Sequence, residues 1–284
     1  MTKLIAVIDG SVYSQSVCDH AAWASRTSGS EVAVVHVLGR RDVSSEPVNL
    51  SGSIGVGARS ELLQELAELD ANKARLALKR GRAILDDAKA RLERDGAAAV
   101  STRLRHGELV TTVAEFEDDA ELLIIGKRGE AADFTSGHLG SNLERVVRAT
   151  HKQVLVVARA YRPIQRALIA FDGGPSARKA VAAIASSPLF AGVAFHLLTV
   201  GAANSALQGS IATALQQLTD AGLTATSAVV AGQPEAEIAS AVDQGGYDLL
   251  VMGAYGHSMI RNMIIGSTTT EMLRSCKISV LLFR

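Results

Sequence analysis

The chain repeats itself, and this internal repeat restricts the folds that it can adopt. An apolar run ends in Asp9 near the start of the sequence, and a similar run ends in Asp172. The same offset relates Val37 to Val200, each at the end of a second apolar run. A repeat of this length is typical of a duplicated domain rather than of a solenoid unit. We therefore expect two tandem domains, residues 1–160 and 163–284.

Short apolar runs alternate with helical patterns in both halves. Alternating strands and helices require parallel crossover connections, so the pattern predicts an α/β sandwich with helices on both faces of each sheet. A long helix is expected over residues 61–94, after a Ser/Gly-rich segment at 44–60 that we interpret as a flexible linker, since no strand precedes its glycines. The expected strands are residues 4–8, 32–37, 100–104, 122–125 and 154–157 in the first half, and 167–171, 193–200, 225–230, 249–252 and 278–283 in the second.

Composition excludes several classes of protein. The 29 basic residues balance the 29 acidic ones, which argues against a protein that coats nucleic acid or an anionic membrane. No apolar run reaches the roughly 20 residues of a transmembrane helix, and Asp9 interrupts any signal-peptide core. Cys18 and Cys276 are far apart, so neither a disulfide framework nor a cysteine-based zinc site is expected. We expect a reduced, cytoplasmic protein with neither a nucleic-acid nor a membrane partner.

A glycine pattern follows the fourth expected strand of the second half. Gly253, Gly256, Gly266 and Ser267 have the spacing G-x2-G-x9-G-S. Glycines at the end of a strand let a ligand approach the backbone, and the N–H groups at the start of the next helix attract anions. The pattern favours a phosphate site, and the alternative is that these glycines only turn the chain.

The starts of the helices carry further signals. Ser267 or Thr268 is the expected N-cap, with Glu271 as the acid of a capping box, and the Thr268 hydroxyl is also an added donor to phosphate. Glu108 and Glu235 follow the third strand of each half, where we expect acids in the first turn of a helix.

With these motifs, the chain resembles a tandem universal stress protein over nearly its whole length. The G-x2-G-x9-G-[S/T] spacing is the ATP-binding motif of that family, and Asp172 at the end of a first strand belongs to the same pattern. The resemblance implies two Rossmann-like five-stranded parallel sheets of strand order 3-2-1-4-5. It also implies ATP as the ligand.

The resemblance places the ligand where the strand order reverses. Asp172 and Gly253 then flank the crevice, as in other open α/β sheets. The resemblance further implies that the backbone at Val200 meets adenine, and that Asp172 holds a ribose hydroxyl or a phosphate-bound Mg²⁺.

The first half departs from the motif, because ten residues rather than nine separate its last two glycines. Lys127 and Arg128 add positive charge near the expected phosphates, whereas Glu130 and Asp133 add negative charge. The corresponding candidate site residues of this half are Asp9, Val37, Gly126, Gly129, Gly140 and Ser141.

The histidines do not indicate a catalytic or metal site. We interpret His36 and His196 as core residues with satisfied hydrogen bonds, whereas His138 and His257 lie in the glycine loops and either touch phosphate or are solvated. The chain has neither a G-x-S-x-G elbow nor a P-loop. We expect no metal centre.

Three functions remain open from the sequence. The first is a nucleotide-binding regulatory protein of the stress response with little or no turnover. The others are a nucleotide-free interaction scaffold and a slow ATP-hydrolysing enzyme. The absence of a clear general base weighs against the enzyme. The apolar last strands, 154–157 and 278–283, are expected to pair the two domains, and a homodimer is also open.

Overall fold

The computed structural model describes residues 3–39, 56–129, 141–202, 204–254 and 266–284, and it contains one sheet of ten strands. The strands are β1 (Lys3–Val7), β2 (Glu31–Leu38), β3 (Val100–His106), β4 (Ala120–Gly126), β5 (Gln153–Val157), β6 (Arg166–Ala170), β7 (Ala194–Val200), β8 (Thr224–Val230), β9 (Leu249–Gly253) and β10 (Ser279–Phe283).

The helices within the described ranges lie between these strands. They are α1 (Tyr13–Ser28), α2 (Val56–Arg94), α3 (Leu109–Phe116), α4 (Ser141–Ala149), α5 (Pro175–Ser186), α6 (Ser205–Asp220), α7 (Pro234–Gly245) and α8 (Ser267–Ser275), with a short 3-10 helix at Pro188–Phe190.

The strand order confirms the expected topology in both halves. The sheet runs β3-β2-β1-β4-β5-β10-β9-β6-β7-β8, so each half has the order 3-2-1-4-5. Every pairing within a half is parallel. The order reverses at β1 and β4 in the first half and at β6 and β9 in the second, which creates a crevice at the carboxyl ends of those strands.

The two halves meet through their last strands, which pair antiparallel. Val280 lies opposite Val156, Leu281 opposite Leu155, and Leu282 opposite Val154. All of these side chains are buried. An uncovered apolar edge strand can pair with other chains. Here the last strand of each half covers the last strand of the other half. The two sheets therefore continue into one.

Alternating side chains of the strands feed two cores, one on each face of the joined sheet. Leu155 and Leu281 belong to the first core, whereas Val156 and Val280 belong to the second. This alternation follows from the two-residue period of a strand. Helices α1, α2, α5 and α6 bury residues in the first core, and α3, α4, α7 and α8 bury residues in the second.

Helix α2 begins earlier than predicted. The expected linker at 44–60 overlaps the helix, which starts at Val56 and runs for 39 residues. The glycine-rich composition concealed this start. Farther along, a Cβ on Gly81 would lie 2.9 Å from Leu104 Cδ1 and 3.1 Å from His36 Cδ2, so glycine allows α2 to approach the sheet closely.

A buried polar chain crosses the junction between the halves. His20 Nδ1 donates to the carbonyl oxygen of Ser16 over 2.7 Å. Its Nε2 therefore accepts from the hydroxyl of Ser279 at 3.0 Å. The Ser279 oxygen in turn accepts from the Ala158 N–H at 3.1 Å. Burial lowers the pKa of His20 to about 4, which keeps the ring neutral and suited to accept this bond.

Each half also sends a cation to the end of a helix in the other half. The Lys127 ammonium donates to the carbonyl of Cys276, which ends α8. Arg284 donates to the carbonyl oxygens of Arg148 and Thr150, both at 3.2 Å, at the end of α4. Cations at helix C-termini are stabilised by the helix dipole and satisfy free carbonyls.

We predict that Ser279→Ala lowers the free energy of unfolding by about 1–3 kcal/mol, because it leaves a buried N–H and a buried ring nitrogen without partners. Urea unfolding followed by circular dichroism measures the change. Ser227→Ala, at an exposed position on β8, is the matched control and should change stability by less than about 0.5 kcal/mol. Equal stability of the two variants would contradict the role of this chain.

Candidate functional site

The crevice of the second half is formed where three neighbouring strands end. Strand β6 lies between β7 and β9. Asp172 follows β6, Val200 ends β7, and Gly253 ends β9. These predicted residues therefore lie at one edge of the sheet, next to the start of α8. Gly256 lies outside the described residues.

Asp172 is exposed, and its own backbone turn orients the carboxylate. Its Oδ1 accepts from the Gly174 N–H over 2.8 Å. Gly174 is the N-cap of α5, and a Cβ at that position would lie 2.9 Å from the same oxygen. Glycine therefore permits the carboxylate to fold back over the start of the helix, at the crevice edge.

The start of α8 differs from the prediction. The N-cap is Gly266, and no side chain caps the helix. The expected cap by Ser267 or Thr268 with Glu271 is therefore wrong. Glu271 instead accepts from Arg274, 2.6 Å away and three residues later. Because a glycine cap has no side-chain acceptor, no cap hydrogen bond from a described side chain occupies the start of α8, a position that suits an anion.

Two hydrogen bonds fix the start of α8 against the end of β9. The Gly266 N–H donates to the carbonyl oxygen of Ala254 over 3.3 Å. The buried hydroxyl of Thr269 donates to the carbonyl oxygen of Gly253 over 3.0 Å. The helix N-terminus is thus held at the crevice by contacts between the two ends of the glycine pattern and by Thr269.

Thr268 has a protein partner that sequence analysis missed. Its hydroxyl donates to Glu235 Oε1 over 2.7 Å. This bond holds the pKa of Glu235 below its usual value, so the carboxylate is charged at neutral pH. Glu235 lies in the first turn of α7, as predicted. Glu108 differs, because it is the N-cap of α3 rather than a first-turn residue.

In the crevice of the first half, side chains lie close to the glycines. Asp9 Oδ1 accepts from the Ser11 N–H over 2.9 Å, and a Cβ on Gly129 would lie 2.8 Å from Asp9 Oδ2. Val37 is half-buried in β2. Ser141 is the first residue of α4, whereas Gly140 lies outside the described residues.

Tyr13 covers the first glycine of this half. A Cβ on Gly126 would lie 2.7 Å from Tyr13 Cβ, so this glycine accommodates the tyrosine. The repeat puts Ser176 at the matching position of the second half. The second crevice therefore has a small side chain where the first has an aromatic ring.

The expected positive charge at the first glycine loop is only partly present. Lys127 is buried and directed to Cys276 rather than to the crevice, so its predicted place near phosphate is wrong. Burial and the neighbouring Arg128 lower the pKa of Lys127. Its main-chain pairing with β5 turns the side chain toward the junction. There, Lys127, Arg128, Arg159, Arg274 and Lys277 line a cavity of about 260 Å³.

The histidines divide into two environments. His36 is buried, and its Nδ1 bonds to the carbonyl of Ile8 at 2.8 Å, which confirms the core interpretation. His196 is only half-buried, so the same interpretation is wrong there; it bonds to Thr226 and stacks on Tyr247. His138 and His257 lie outside the described residues.

Other groups in the described ranges offer no reactive centre. Cys18 is buried, and burial raises the pKa of its thiol to about 12, which makes it inert. No group of three or more metal-ligating side chains occurs within those ranges. None of their helices combines the length and apolar character needed to cross a bilayer.

We predict that the protein purified without a histidine tag contains no stoichiometric zinc. Elemental analysis by inductively coupled plasma mass spectrometry measures the metal content. A tightly held transition metal that survives dialysis against a chelator would contradict the assignment of the histidines.

Comparison with known proteins agrees with this architecture. The sequence model of the universal stress protein family matches residues 1–158 and 201–284. A universal stress protein of Synechocystis is 37% identical over 287 residues, which span the whole of both chains.

Solved structures show the same fold at low sequence identity. A universal stress protein from Archaeoglobus fulgidus matches with a TM-score of 0.72 at 17% identity, covering 99% of this chain and 98% of its own. A Pseudomonas aeruginosa protein matches with a TM-score of 0.65 at 15% identity, covering 100% and 93%. The match to the family model and the full-length relative establish that the chain belongs to the universal stress protein family.

Proposed function

We propose that the protein is an ATP-binding regulator of the stress response whose principal site is the crevice of the second half. The observation that carries this proposal is the start of α8, which has a glycine N-cap and no side-chain cap and lies where β6 and β9 end. Free N–H groups and the positive helix end make this position suited to phosphate.

In the proposed complex, the phosphates lie over the backbone of Gly256, Gly266 and Ser267. The Thr268 hydroxyl is an added donor, which requires it to exchange its bond to Glu235. Adenine lies near Val200, where β7 ends. The exposed carboxylate of Asp172 faces a ribose hydroxyl or a Mg²⁺ ion bound to the phosphates.

We assign the stronger binding to the second half because it keeps the G-x2-G-x9-G-S spacing and because side chains lie against the glycines of the first half. In the first half, Tyr13 packs on Gly126 and Asp9 packs on Gly129. Binding there requires these side chains to move away from the glycines. The repeat supplies the small Ser176 in place of the tyrosine in the second half.

We propose a regulatory role with little or no turnover rather than a dedicated ATPase. The acid beside the α8 start, Glu235, is held by Thr268 and has a lowered pKa, which makes it a weak base. A nucleotide-free scaffold is the alternative, and the negative charge of Glu235 favours it because that charge repels phosphate. We further propose a cytoplasmic location, consistent with the free thiols of Cys18 and Cys276.

Gly266→Val should weaken ATP binding at least tenfold. A β-branched side chain at the N-cap blocks close approach of phosphate, and charge-assisted hydrogen bonds of about 1.5–3 kcal/mol each are lost. Calorimetric titration of ATP into protein stripped of nucleotide measures the affinity, with circular dichroism to verify folding. Gly209→Val, at an exposed helix position with open space around it, is the control and should bind as the wild type does.

Equal affinity of the Gly266 variant and the wild type would contradict the site. Absence of binding by the stripped wild type would favour the scaffold instead.

Glu235→Gln should tighten ATP binding about two- to fivefold, since it removes one negative charge near the phosphates while retaining an acceptor for Thr268. The gain should shrink in high salt. The control is Glu237→Gln in the same helical turn, whose side chain lies against Gly232. Weaker ATP binding by Glu235→Gln than by the control would show that the carboxylate assists the ligand, through Mg²⁺ or otherwise.

A further inference from the structure

The first part of α2 extends beyond the region where the helix packs on the sheet. None of the described side chains from Leu62 to Arg80 is buried. Burial begins at Gly81 and continues at Leu85 and Leu92, which enter the first core. At 1.5 Å per residue, the segment before Gly81 is about 37 Å long. Within the described residues, this segment therefore has no side chain in the core, and at most its side chains are half-buried.

This segment carries a stripe of leucines with the spacing of a coiled-coil seam. Leu62, Leu66, Leu69 and Leu76 follow the alternating steps of four and three residues of a heptad repeat. Leu69 and Leu76 are 56% and 62% exposed, and the adjacent Leu63 is 50% exposed. Five large hydrophobic residues are exposed among the described residues, and three of them lie on this segment. We call these five leucines the leucine stripe.

The charges along the same segment are divided between its ends. The N-terminal half is acidic, with Glu65, Glu68 and Asp70. The C-terminal half is basic, with Lys73, Arg75, Lys79 and Arg80. Two copies of the segment that lie antiparallel bring each acidic half beside a basic half. Two parallel copies would bring like charges together, which is unfavourable.

We propose that the leucine stripe is a homodimer interface, in which two copies of this chain pair α2 with α2 in antiparallel orientation. The register that stacks Leu66 of one copy on Leu76 of the other also sets Glu65 opposite Lys79. Lys73 occupies a seam position opposite Leu69 of the other copy, and Arg80 occupies the one opposite Leu62. Polar residues at seam positions specify register at a cost in stability, so the dimer is reversible and salt-sensitive.

Charge thus identifies a second copy as the occupant of the stripe. In each chain, Glu68 accepts from the neutral Gln64 at 3.4 Å, and Arg75 donates to the neutral Asn72 at 3.4 Å. These two contacts are to neutral groups, so they leave the acidic and basic character of the two ends of the segment unchanged.

Sedimentation-velocity ultracentrifugation of the full chain tests the interface. We expect a dimer at tens of micromolar protein, and a monomer when both Leu69→Glu and Leu76→Glu are present. Val229→Glu replaces an apolar residue that is 47% exposed on β8 and should leave the dimer intact. Circular dichroism verifies that each variant is folded.

A pair of charge reversals tests the orientation. Glu65→Lys alone and Lys79→Glu alone should each weaken the dimer at least tenfold, and the double variant E65K/K79E should restore it. Restoration is expected only for antiparallel helices, because only they bring position 65 of one copy to position 79 of the other.

Three results would overturn the proposal: a monomeric wild type, a dimer that persists in the Leu69/Leu76 variant, or a double charge reversal that fails to restore dimerisation. A monomeric wild type would mean that the leucine stripe does not join two copies of this chain.

Discussion

The antiparallel pairing of β5 with β10 is the contact on which the rest of the structure depends. Each half ends in a strand of buried aliphatic residues, which neither half covers alone. Their pairing merges two parallel sheets into one of ten strands. Because the pairing is antiparallel, the strands of the two halves run in opposite directions. The two crevices therefore lie at opposite edges of the sheet.

Polar contacts from each half to the other reinforce this pairing. The neutral ring of His20 accepts from Ser279 across the junction. Lys127 of the first half binds the end of α8, and Arg284 of the second half binds the end of α4. Such reciprocity follows from duplication, although the cation comes from a different position of the fold in each half. The junction thus uses Lys127 from the first glycine loop for structure, whereas Arg284 lies outside the second glycine loop, which leaves the two crevices unequal.

The strands were predictable from the sequence, because buried strands have continuous apolar runs and the repeat shows each pattern twice. Their order, and the edge of the sheet where the candidate site lies, were implied by the resemblance to the family. Contacts of residues whose partners are distant in the chain were not predictable. The sequence suggests that Lys127 binds phosphate, because it does not show that Cys276 lies beside this lysine. It also suggests that Thr268 is a free donor, because it does not show the contact with Glu235. The first turn of α2 was missed because Gly57 suggests a loop.

The inequality of the crevices is central to the proposed function, since it assigns nucleotide to the uncapped start of α8 rather than to the start of α4. Backbone amide resonances of the isotopically labelled chain, recorded during an ATP titration, test this most directly. The amides of Gly266, Ser267 and Thr268 should shift first and saturably, and that of Asn142 in α4 should shift less or only at higher ATP. Shifts at α4 that precede those at α8, or none at either helix, would contradict the account.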